Sequence, residues 1–173
     1  MRSVLLAISF SLAGCTMGSS VMNGRATIVP RPLDAAAVAP LRAGTTVAVV
    51  AGPASDAWFQ LCARGDATQV NLAVLTAETV ACVGRELQQR GVTVAAEAKK
   101  RLELTVVRAS GDPAFMKVRV DVRLRANTGD GQSAEFEGSV SSIKGAVATS
   151  EDALSQAVQK LLSDARIRAW LES

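Results

Sequence analysis

The sequence predicts an α+β fold with two layers: a mixed, mostly antiparallel sheet of about four to five strands, and two helices packed on one of its faces. Three observations predict it. First, Val118, Val120, Val122 and Leu124 alternate with Arg119, Asp121, Arg123 and Arg125, and the alternation resumes through Ala134, Phe136, Gly138 and Val140 after the turn residues Asn127-Thr128-Gly129-Asp130-Gly131. That pattern is a hairpin with one apolar and one charged face. Second, apolar residues recur at helical spacing over two segments, Leu72 to Leu87 and Ala153 to Ala165. Third, a strand precedes and a strand follows the first of these helices, so the order is strand, helix, strand, antiparallel meander, helix. Both helical stripes are then buried by packing on one side of a single sheet.

The first strand is Thr45 to Val50, a continuous apolar run stopped by Gly52-Pro53, which cannot continue a ladder. A loop with Trp58, Phe59 and Cys62 follows. The first helix spans about Asn71 to Arg90, with Leu72, Leu75, Thr79, Val83 and Leu87 on one side and Gly91 at the left-handed position that often ends a helix. Val92 to Val94 is a short strand, and Leu102 to Val106 alternates as the next. The closing helix starts at about Ser150, capped by Thr149 or Ser150, with Glu151-Asp152 at its positive end. Its stripe is Ala153, Leu154, Ala157, Val158, Leu161, Leu162 and Ala165. Ile167 to Leu171, with Trp170, continues it or docks as a short turn.

Composition agrees with this layering. The chain is 49% hydrophobic but only 3% aromatic, with no Tyr, so its core is built of small and branched side chains. A net charge of +3 in 173 residues, without a basic face interleaved with aromatics, excludes a nucleic-acid partner.

The start of the chain has its own logic. Met1-Arg2 is positive, Val4 to Leu12 is apolar, and Leu12-Ala13-Gly14-Cys15 ends the run. The stretch is shorter than the roughly 20 residues that span a bilayer and reads as a removable signal. Leu-Ala-Gly-Cys resembles the lipobox of bacterial lipoproteins. That resemblance implies cleavage before Cys15, which becomes the acylated first residue of the mature chain and its link to the lipid bilayer. Thr16, where an Asp would resemble an inner-membrane retention signal, favours the outer membrane and a periplasmic orientation. The expected organisation is a signal peptide at 1–14, a lipidated cysteine with a Pro-, Ala- and Gly-rich tether at 15–43, and one domain at 44–173. Part of the tether, Ala26 to Val29, has the composition to lie extended along the domain.

Catalytic chemistry finds little to use. With no His, the usual general base, nucleophile activator and zinc ligand is missing. Zinc held by cysteine alone needs about four thiolates, so no metal and no cofactor is expected, and the chain is read as a non-enzyme. Glu135 and Glu137 share a strand face with Arg123 and Arg125 opposite, so charge matching explains them better than a glycosidase pair. Cys62 and Cys82 either form a disulfide, or Cys82 is a small buried apolar residue. Trp58 and Phe59 either form an exposed docking tip or fold into the core. The basic stretch from Lys99 to Arg125, with Arg119, Arg123 and Arg125 on one face, is either a surface for an anionic or acidic partner or a solvated sheet face.

The run Glu86-Leu87-Gln88-Gln89-Arg90-Gly91-Val92-Thr93-Val94, the strand Leu102 to Val106 and the ending Ile167-Arg168-Ala169-Trp170-Leu171 resemble the YajG-like envelope lipoproteins. The likeness implies an envelope lipoprotein without an assigned reaction. The function expected is therefore a membrane-anchored, non-catalytic binding or assembly module with an envelope protein as partner. The alternatives are an auxiliary subunit of a lipid or lipopolysaccharide transport system and, third, a peptidoglycan hydrolase.

Overall fold

The computed structural model describes residues 20–22, 24–42, 44–61, 68–114 and 116–173. The fold is α+β, as the patterning predicts. Its larger sheet has five strands in the order β6-β3-β7-β8-β9: β3 (Thr46–Ala51), β6 (Thr93–Val94), β7 (Lys100–Ala114), β8 (Lys117–Thr128) and β9 (Ser133–Ser142). The three strands β6, β3 and β7 are parallel, and β7, β8 and β9 form the antiparallel meander. Helix α1 (Leu72–Gln89) packs on β3 and β7, and α2 (Ala146–Ser163) on β8 and β9. A third helix, α3 (Ala165–Glu172), closes the chain.

Local chemistry fixes the helix ends. Asn71 caps α1, its side-chain oxygen accepting from Val74 N at 3.0 Å, and Gly91 takes φ 86° just past the other end. Helix α2 starts four residues before the expected Ser150. Gly145, at φ 87°, turns the chain into it, and Thr149 and Ser150 lie buried inside the helix, their hydroxyls donating to the carbonyls of Gly145 and Ala146. Hydroxyl residues that favour caps also satisfy themselves on the preceding turn, so Thr149 and Ser150 fit inside the helix as well as at its start. Ile167 to Leu171 belongs to a separate helix because Asp164 breaks α2 in extended conformation and caps α3 through Arg166 N and Ile167 N.

The expected strand Leu102–Val106 is the lower part of a strand reaching Ala114. Between Val106 and Arg108 the register shifts by a bulge, so the residues facing the helices change phase from Leu102, Leu104 and Val106 to Ala109. The core lies between the sheet and the helices. Val120, Val122, Leu124 and Ala126 of β8 and Phe136 of β9 meet Leu154, Val158 and Leu161 of α2, while β7 meets Leu75, Val83 and Leu87 of α1. Gly138 is where α2 comes closest: a Cβ there would lie 1.8 Å from the carbonyl oxygen of Ala153.

The structure corrects the tether. Residues 25–42 are part of the domain, not a leash ahead of it. Strand β2 (Arg25–Thr27) joins β1 (Ser20–Met22), β4 (Trp58–Gln60) and β5 (Gln69–Asn71) in a second sheet of order β1-β2-β5-β4. The chain then crosses the two helices as a strap. Arg31 pairs with Glu151 at 2.7 Å and Asp152 at 2.9 Å, and its N–H donates to Ser155 Oγ. Leu33 N donates to Glu86 Oε1, and Arg168 of α3 donates to the carbonyls of Ala39 and Pro40. Ala26, Ile28, Val38 and Leu41 are buried. Their removal from water, together with these bonds, outweighs the entropy of ordering a Pro-rich segment.

Candidate functional site

With both helices and the strap on one side, the other face of β7, β8 and β9 is open to solvent. Alternation places Arg108 and Ser110, Arg119, Asp121, Arg123 and Arg125, and Glu135, Glu137 and Ser139 on it. The register sets Arg123 opposite Glu137 and Arg125 opposite Glu135. Arg125 binds Glu135 at 2.7 Å, and Arg123 lies 3.8 Å from both Glu135 and Glu137. The charge matching expected from the sequence is thus what the two strands do. These pairs are half-exposed and contribute little to stability.

Further along the same face, Arg108, Ser110, Arg119, Asp121, Val122, Arg123 and Glu137 line a hollow of about 120 Å³. Arg119 Nε donates to Asp121 Oδ1 at 3.1 Å. The Ser139 hydroxyl, then Arg119 and Arg108, hold the Asp121 carboxyl below the usual carboxylate range against the opposing effect of burial. Arg108 forms no ion pair with a carboxylate among the described residues and is exposed. The arrangement therefore presents a free guanidinium beside an internally paired cluster. It is suited to recognising a carboxylate or phosphate group from solution.

The other predicted surface residues are placed differently. Phe59 packs against the core, and Trp58 is half-buried with the Arg25 guanidinium 5.0 Å from its ring centre. Both lie on β4, so they belong to the second sheet and are separate from the arginine face. Cys82 is buried on α1 and forms no disulfide among the described residues, its thiol pKa pushed up to about 11 by burial and then by Glu86. Cys62 and Cys15 lie outside the described residues. At the opposite end of the sheet a wider groove of about 590 Å³ is lined by Arg42, Thr45, Lys99, Lys100 and Glu172, among others. There Lys100 is committed to the last carbonyls of α3, those of Trp170 and Leu171.

Two exposed residues escaped sequence reasoning. Met116 is 78% exposed and Ile143 76%. Ile143 carried a signal: it follows the core positions Phe136, Gly138 and Val140 out of phase, so strand alternation could not have buried it.

No family model matches the chain, and no curated protein matches it. Among solved structures it is similar to protein XCC0632 from Xanthomonas campestris, described as belonging to the family DUF330. The TM-score is 0.53 and the sequence identity 18%, with 79% of this chain and 88% of that chain covered. At that identity the likeness is one of fold. Among the described residues no helix is long and apolar enough to cross a membrane.

Proposed function

We propose that the chain is an outer-membrane lipoprotein, anchored through acylated Cys15 and facing the periplasm. Its domain serves as a non-catalytic binding or assembly module for another envelope protein. The observation that carries this reading is Leu12-Ala13-Gly14-Cys15 directly behind the apolar run Val4 to Leu12. Two or three acyl chains on one residue hold a protein on a bilayer almost permanently, whereas one alone is reversible. The domain supports the reading by what it offers: a charged open face with Arg108, Arg119 and Arg123 around one hollow, against a helix-covered side filled by small and branched residues. The related role of auxiliary subunit in a lipid or lipopolysaccharide transport system is narrowed by that filled interior to docking through the surface.

The test is direct. Cells expressing the full chain are labelled with radioactive palmitate. Label is expected in the wild type and not in Cys15→Ser, with intact mass showing a mature chain that begins at an acylated Cys15. A freely secreted, unmodified polypeptide overturns the proposal. Photocrosslinkers at Arg108 and Arg119 are expected to capture one envelope protein, and crosslinks to none remove the binding module.

A further inference from the structure

The sheet end at which β7 turns into β8 carries apolar side chains that the core does not use. Met116 sits in that turn and Ile143 one residue past β9, and both are more than three-quarters exposed. The register brings them to the same edge of the molecule: Ala114 faces Lys117 across the hairpin, and Val118 faces Ser142. Lys117 and Lys144 flank them. Lys117 makes no ion pair among the described residues, and Lys144, 3.6 Å from Asp152, keeps a 57% exposed side chain. Asp112, a little below the turn, stands opposite Arg119. The end therefore presents two apolar side chains, each next in sequence to a lysine.

The second sheet, which holds the first described strand, lies toward this end. Strand β2 pairs with β5, and β5 runs directly into the first turn of α1. That helix begins beside the upper part of β7, where Val106 N donates to Thr76 Oγ1 at 2.9 Å, and it descends away from the β7–β8 turn. The second sheet thus lies on the side toward which β7 rises. From Cys15 to Ser20, where β1 begins, the chain can reach at most about 18 Å.

We infer that this end is the bilayer-facing surface of the domain: Met116 and Ile143 insert into a membrane carrying anionic lipid while Lys117 and Lys144 meet its phosphates. The inference rests on the reading of Cys15 as the lipidated residue. Exposed apolar groups among lysines fit an interface of acyl chains under negative headgroups. The anchor keeps a weak second contact at high effective concentration. Two points of attachment fix an orientation that a single lipidated residue leaves free, and they turn the sheet's open face along the membrane surface.

The test uses the acylated full chain reconstituted in vesicles of phosphatidylglycerol and phosphatidylethanolamine. A polarity-sensitive dye is placed at Met116→Cys, Ile143→Cys or, at the opposite end, Glu97→Cys, in a Cys62→Ser background. Buried Cys82 does not label. Blue-shifted emission and quenching by lipid-borne quenchers are expected at 116 and 143 and not at 97. Both are expected to be lost when Lys117→Glu and Lys144→Glu are added, or when phosphatidylcholine replaces the lipids. Dyes at 116 and 143 as water-exposed as that at 97, in protein whose mass shows acylated Cys15, overturn the inference and leave the anchor intact. An unmodified Cys15 in that mass measurement overturns the anchor itself. Shielding at 116 and 143 in native envelopes but not in vesicles overturns the inference in favour of a protein at this end.

Discussion

Glu86→Ala is expected to lower stability by about 4 kcal/mol, and the site shows why. The Glu86 side chain is 2% exposed and that of Arg90 7%, and the two form a salt bridge within one turn of α1. The other carboxylate oxygen of Glu86 accepts from Leu33 N at 3.0 Å, so one side chain ties the strap to the helix and neutralises a buried cation. Arg90 has little else. Its Nη1 donates to the Glu86 carbonyl, while Nε and Nη2 are buried without partners among the described residues. Removing one member of a buried pair costs about 3 to 5 kcal/mol, chiefly because the other charge is left uncompensated. The orphaned Leu33 N–H adds about 1 to 3 kcal/mol, in part the same desolvation counted again. With a urea slope of about 2 kcal/mol per molar, the midpoint of unfolding should fall by about 2 M. Trypsin should also cut at Arg42 faster than in the wild type, because the strap loses its hold on α1. The double variant Glu86→Met with Arg90→Met should recover much of the loss, since apolar replacements need no partners. A loss below about 1 kcal/mol would refute the electrostatic argument. A double variant as unstable as the single would assign the effect to packing.

Three further outcomes follow from particular contacts. Gly138→Val should destabilise by about 1 to 3 kcal/mol in thermal or urea unfolding, because α2 must move off β9 to admit the side chain; wild-type stability would mean that helix and strand do not meet at Gly138. The Cys82 thiol, raised to about 11 from 9.0, favours the folded state fully below pH 9. That contribution is lost as pH rises from 9 to 11, because the unfolded thiol ionises first, so Cys82→Ala should flatten the alkaline fall in stability. An identical alkaline limb in wild type and Cys82→Ala would remove Cys82 as its cause. Strand β9 is a sheet edge whose outward Ser139 N–H is taken by Gln156 Oε1, and whose Glu137 carbonyl is taken by Lys160, both at 2.7 Å. Gln156→Ala with Lys160→Ala should uncover the edge and produce concentration-dependent self-association in light scattering; a variant that stays monomeric where the wild type does would show that the edge needs no cover.

The parts of the fold that were legible in the sequence are those whose signals are local. The β8–β9 hairpin announced itself by strict alternation, and α1 by periodicity between Asn71 and Gly91. Its charge-paired face was legible too, because Arg123, Arg125, Glu135 and Glu137 are brought together by one turn. The remainder depends on long-range pairing. The second sheet is made of strands of three residues, too short for a period, drawn from segments more than 30 residues apart. The extension of β7 hides behind a bulge and the Gly111-Asp112-Pro113 sequence. The strap has no period because, beyond a single 3-10 turn at Ala35–Ala37, it is neither helix nor strand: Ile28, Val38 and Leu41 enter the core at irregular intervals set by the helices beneath. Nor could the sequence assign Arg108 its free position in the hollow, which follows from the bulge that re-aims it.

The docked strap changes what an anchored domain can do. A flexible chain from residue 15 to 43 would let the domain range as far as about 100 Å from its anchor, enough to search for a distant partner. With residues 25–42 fastened by Arg31, Glu86 and Arg168, and β1 beginning at Ser20, the reach falls to about 18 Å. On the anchored reading, the hollow around Arg108 then meets only what lies at the membrane surface or projects to it, and the partner must bring its acidic group there. The same shortening raises the effective concentration of every membrane-proximal contact. That is the condition under which two exposed apolar side chains and two lysines, too few to bind a bilayer alone, suffice to orient a domain. The fasteners Glu86 and Arg168 line neither the hollow nor the apolar end, yet on the anchored reading they govern both by setting the length of chain between domain and membrane.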